Sequence, residues 1–128
     1  MLYNGYTGKQ GKLDKDKSQL IVPDDWVFKA CKKFPNLLPG PSINPHSQNA
    51  LERLDMCIEQ GAVLIKWLPS VQLIHPEDPK HLAFYKKLAQ AKLPLLVHCG
   101  GERTFKSLDP KLNHLSLLSK ALEQGVTV

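Results

Sequence analysis

A chain of 128 residues, 42% hydrophobic and 23% charged, has the size and balance of one soluble globular domain with a modest core. Its formal net charge is +5, yet 15 of the 17 basic residues are lysines scattered along the chain, unlike the arginine- and aromatic-rich face of a nucleic-acid binder. Cys31, Cys57 and Cys99 show no CxxC spacing, which excludes a disulfide framework or a zinc finger. No signal peptide or membrane-length apolar run is visible, so the expectation is a cytoplasmic protein with neither nucleic acid nor membrane as partner.

Taken in order, residues 1–22 read as a loop-rich lead-in, with Gly5, Gly8, Gly11, the charged run KLDKDK and a short extended piece at QLIV. Pro23-Asp24-Asp25 opens a helix with Val27, Ala30, Cys31 and Phe34 at helical spacing. Leu37 to Pro45 reads as an extended segment, although its three prolines suit a central strand poorly. Ser47 is placed to cap a helix that buries Leu51, Leu54, Cys57 and Ile58 and ends at Gly61 as its C′ residue. A strand, GAVLIKWLP, follows, then a long connection through Pro69 and Pro76. Asp78-Pro79 supplies an N-cap and first-turn proline for a helix showing Leu82, Tyr85, Leu88 and Ala89. A second strand, LPLLVH, breaks into Cys99-Gly100-Gly101-Glu102. Asp109-Pro110-Lys111 starts a last helix presenting Leu115, Leu118 and Leu122, and Val126-Thr127-Val128 begins another strand.

The two apolar strands organise this pattern. Lys66 and His98 stand 32 residues apart, about the length of one βα unit, each at the C-terminal end of its strand. Alternation puts Leu64 with Lys66 and Leu96 with His98 on one face, at the end where parallel α/β folds keep their chemistry. Glu123-Gln124-Gly125 repeats Glu59-Gln60-Gly61 at 64 residues, two such units. Alternating helix and strand predict a parallel sheet, and the cut-short final strand predicts an exposed strand edge through which the chain self-associates.

The ordered series PGPSINP, GAVLIKWLP, LPLLVHCGGE and GVTV resembles the amidohydrolase superfamily, in particular its metal-dependent hydrolases of the TIM-barrel fold. The resemblance covers nearly the whole chain. It implies an α/β fold, a partial TIM (β/α)8 barrel truncated at both ends, spanning about strands three to the start of six. Residues 1–128 would form one such domain, with 1–22 as lead-in and 23–128 as βα units. It implies that His98 is a metal ligand, and that Lys66 is either a carbamylated ligand bridging two metals or a charge-stabilising ammonium. The His-x-His pair, a later histidine and a late aspartate of that family are not in this chain, so its site is incomplete and the chain by itself is expected to be inactive.

Each residue also has a plainer role. A strand-end histidine such as His98 is commonly satisfied by a carbonyl, and Lys66 can snorkel its ammonium to water. Glu102, above His98, either orients substrate or water or is simply solvated. Trp67 and Pro69 suit the wall of a pocket, although Trp67 falls on the face opposite Lys66, where it can pack on helices instead. His75, His81 and His114 share no ligand spacing and read as surface or capping residues, and Cys99 has no visible base to make it a nucleophile. The expected function is therefore hydrolysis of an amide, ester or lactone-type bond in a small-molecule substrate, through water activated by a divalent metal, Zn2+ above others. His98 and Lys66 are the metal ligands, and Lys66 and Glu102 the catalytic residues. The alternatives are a decarboxylase- or hydratase-type lyase, and a non-catalytic fragment that supplies a subunit surface.

Overall fold

The computed structural model describes residue 8 and residues 10–128. The first seven positions of the lead-in, Gly5 among them, and position 9 therefore lie outside the described residues. The elements are α1 (Asp24–Lys33), α2 (Ala50–Glu59), β1 (Ile65–Trp67), α3 (Pro69–Gln72), a 3-10 turn at Pro79–His81, α4 (Leu82–Gln90), β2 (Leu95–Val97), 3-10 turns at Pro110–Asn113 and Leu115–Leu118, and α5 (Ser119–Glu123). The strands β1 and β2 pair in parallel, with Lys66 opposite Leu96 and Trp67 opposite Val97. The ladder continues at both ends, from the Ile65 N–H to the Pro94 carbonyl and from the His98 N–H to the Trp67 carbonyl.

This architecture corrects the expectation of a partial TIM barrel built from alternating helix–strand units. Among the described residues the sheet has two strands of three residues, and two short 3-10 turns take up much of the helix expected after Asp109. The physical reasons are local. Residues 37–45 run beside β1, and the Pro39 and Pro41 carbonyls accept from Val63 and Lys66. Those prolines have no N–H to return, so no ladder forms. Residues 126–128 give β2 one bond, from the Leu95 N–H to the Thr127 carbonyl, and form no strand. The expected helix after Asp109 divides into two 3-10 turns and the five-residue α5, because His114 accepts from the Ser116 N–H and interrupts it. The piece at residues 19–22 forms no strand; Gln19 instead exchanges two hydrogen bonds with the Lys106 backbone.

The core lies between the helix-facing side of the strands and α2, α4 and α5, where α4 packs on both of the other helices. Trp67, fully buried, fills its centre against Phe84 and Tyr85 of α4 and donates from its indole N–H to the Ile43 carbonyl at 2.8 Å. Ile65, Leu95, Leu54, Cys57 and Leu88 complete it. Phe28 and Phe84 are core residues beyond the expected faces, whereas Phe34, Leu51 and Leu82 of those faces are exposed. Asn49, not Ser47, occupies the N-cap position of α2. Arg53 ties α2 to Asp24 of α1, and Lys87 ties α4 to Asp55 of α2. No helix among the described residues is long and apolar enough to cross a membrane.

Candidate functional site

The parallel pairing sets Lys66 and Leu96 side by side on the face away from the helices, with His98 one alternation further along. Leu96 is 46% exposed, but Lys66 is only 3% exposed. Burial disfavours its ammonium and lowers its pKa, against the opposing influence of Cys99 and Glu102, so the neutral amine is more accessible than for a surface lysine. Cys99 is itself raised by burial, with Lys66 pulling the other way, and stays a thiol near neutral pH.

Beyond β2 the chain turns through Gly100 at φ +83°, a conformation that favours glycine, and brings Glu102 back over the strand end. One oxygen of Glu102, Oε1, accepts from the Thr104 and Phe105 N–H groups. The other, Oε2, faces His98 Nε2 at 3.5 Å. Burial pushes the Glu102 carboxyl up, but the Thr104 and Phe105 amides, His98 and the Arg103 amide outweigh it, so the group is held below its usual value as a carboxylate. His98 Nε2 is buried without a hydrogen-bond partner. Glu102 is thus the shared neighbour of Lys66 and His98, and all three expected site residues converge at one end of the strands. Asn113 braces the loop: its amide donates to the Gly100 carbonyl at 2.8 Å and its oxygen accepts from the Ser70 N–H at 3.0 Å. Beside the loop opens a shallow depression of about 550 Å³ lined by Gly100, Gly101, Pro110, Asn113, His114 and Leu117.

A second constellation lies on the other face. His46, Asp78 and His81 place one ligand atom each within 4.8 Å of one another, a His–Asp–His group that could hold a metal ion. Reading His81 as a surface or capping residue is corrected here, since it is 1% exposed and packs against Trp67, Tyr85 and His46. His75 is exposed, and His114 caps the 3-10 turn at Leu115–Leu118, as such residues should. Sequence spacing hides the constellation because His46 joins it from more than 30 residues away. Only Asp78-x-x-His81, across a capped helix start, is a local sign of it. Pro69 is buried at the start of α3, and Trp67 belongs to the core.

No protein-family model, curated protein or solved structure matches the chain. The functional reading rests on this geometry and these residues.

Proposed function

We propose that the chain serves metal-dependent hydrolysis of an amide, ester or lactone-type bond in a small molecule, with the reacting end at Lys66, His98 and Glu102. The observation that carries this reading is the pair His98 Nε2 and Glu102 Oε2, 3.5 Å apart, with Nε2 buried and making no hydrogen bond. Two donors on one tetrahedral zinc ion stand about 3.3 Å apart, so the separation fits a shared divalent ion. A metal held there would supply Lewis acidity toward a carbonyl and an acidified water. Oε1 of Glu102 keeps its backbone donors, which fix the carboxylate so that Oε2 alone is presented. Lys66, desolvated and coupled to Glu102, has the lowered basicity that a carbamate ligand requires. Kept as an ammonium, the same side chain stabilises developing negative charge. The likeness of the motif series to the amidohydrolases supports the same chemistry.

The chain offers fewer ligands than a catalytic site needs. The test therefore measures zinc content in the chain, and turnover of ester and lactone substrates when the remaining ligands are supplied by an added segment. His98→Ala should remove both. Lys66→Ala should lower zinc content if the lysine is a ligand, or leave zinc and lower turnover if it stabilises charge. Zinc and turnover unchanged in both variants contradict the proposal.

A further inference from the structure

We infer that His46, Asp78 and His81 form a second metal site, separate from the strand-end residues, which takes a divalent transition-metal ion of the Zn2+ or Co2+ kind and clamps the turn at residues 45–48 to the start of α4. The three residues come from two places in the chain. His46 follows the extended segment beside β1, while Asp78 and His81 bracket the 3-10 turn that opens α4. Their ligand atoms lie within 4.8 Å of one another, and the His46 and His81 rings meet edge to face with centroids 4.6 Å apart. Closing to the roughly 3.3 Å spacing of a tetrahedral site needs side-chain movement of about 1.5 Å.

The burial of His81 points to a ligand independently. Its ring is 1% exposed, yet neither nitrogen has a partner in hydrogen-bond geometry. The His75 carbonyl lies on the His81 side and weakly favours a proton there, but falls short of a formed bond. A fully buried imidazole with two unsatisfied nitrogens is costly, and a metal ion relieves that cost directly.

The donors also arrive in the right chemical form. Burial, reinforced by His46, lowers His81 to about 4, and burial lowers His46 as well. The Lys80 N–H, donating to Asp78 Oδ1 at 2.9 Å, favours the ionised carboxyl. This donor set selects imidazole-loving ions over Mg2+ and Ca2+. A cleft of about 310 Å³, bordered by Pro45, Ser47, Lys80 and Phe84, opens beside the chain neighbours of these ligands. His81 packs on Trp67, whose side chain faces the helices, so this site and Lys66 lie on opposite sides of β1.

The experiment uses the whole chain stripped of metal, titrated with Zn2+, Co2+ and Mg2+ while thermal unfolding and visible Co2+ absorption are followed. Zn2+ and Co2+ should raise the melting temperature and Mg2+ should not, with a Co2+ spectrum showing nitrogen ligation. His46→Ala, at a half-buried turn position, and Asp78→Asn, which keeps the cap, should each weaken binding more than about tenfold. In the His98→Ala chain, which removes the strand-end site, one Co2+ equivalent and its spectrum should remain here and be lost on adding His46→Ala. Failure of the hydrolytic reading alone, by contrast, leaves the parent and His98→Ala titrations identical. Absence of any Zn2+ or Co2+ effect overturns the site, as does binding by His46→Ala and Asp78→Asn equal to the parent.

Discussion

Trp67 and His81 show how single residues set the energetics of this chain. Trp67→Ala removes the largest fully buried side chain and should cost about 3–5 kcal/mol, comparable with the whole margin of many domains. Trp67→Phe keeps most of the packing but strands the buried Ile43 carbonyl, for about 1–3 kcal/mol. Urea midpoints of the two variants check the order. His81 gives a pH dependence in the metal-free chain, where His46, Asp78 and His75 act on it. Its folded pKa, about 4, lies below the usual 6.5, so the unfolded state binds the proton more readily between those values. Stability is then complete above about pH 6.5 and falls by roughly 3 kcal/mol as pH approaches 4. Urea titrations across that window should show the slope, and His81→Gln should flatten it. Strand alternation alone puts Trp67 on the face opposite Lys66, but leaves open whether it lines a pocket or packs on helices. The burial of His81 is not legible, because an i, i+3 pair with Asp78 looks like any capped helix start until His46 is brought beside it.

At the scale of elements, α2, α4 and α5 end in one and the same way. The N–H groups of Ala62, Leu93 and Val126 reach back to the carbonyls of Cys57, Leu88 and Ala121, and Gly61, Lys92 and Gly125 each sit at positive φ. This is a Schellman ending, with an apolar residue following the left-handed one. Lys92 carries a side chain where the other two helices have glycine, at a φ of 51°. Lys92→Gly should therefore raise stability by about 1 kcal/mol, and Gly61→Ala should lower it by a similar amount. Nothing lies within 4 Å of a Cβ built on Gly61, so the second effect is purely conformational. Denaturation midpoints of both variants check the pair of signs. Gly61 and Gly125 announce their helix ends in the sequence; Lys92 does not, since lysine rarely takes that conformation. The strands at Ile65–Trp67 and Leu95–Val97 are legible from apolar runs ending in a polar residue. The division of the region after Asp109 into short turns is not, because the leucine spacing there suits a helix while His114 and Ser116 compete for its backbone.

For the whole molecule, one hydrophobic core joins residues from Phe28 to Val126, and the proline-rich segment at 39–41 covers the outer edge of β1. Apolar side chains face solvent at Leu38, Leu115 and Leu122. The chain is expected to self-associate, and light scattering across a concentration series should show a mass that rises with concentration. A constant monomeric mass would contradict this. The alternating units predict a parallel sheet of more strands, and the resemblance a partial barrel; the structure holds a two-stranded sheet because proline and single bonds, not ladders, flank it. The convergence at the strand ends survives that correction, since it depends only on β1, β2 and the turn at Gly100. The most direct measurement of the central claim is an anomalous difference map at the zinc edge from crystals grown with Zn2+. A peak within about 2.1 Å of His98 Nε2 and Glu102 Oε2 is the expected result. A map with no zinc there, and His98 Nε2 closed onto Glu102 in a direct hydrogen bond, would contradict it.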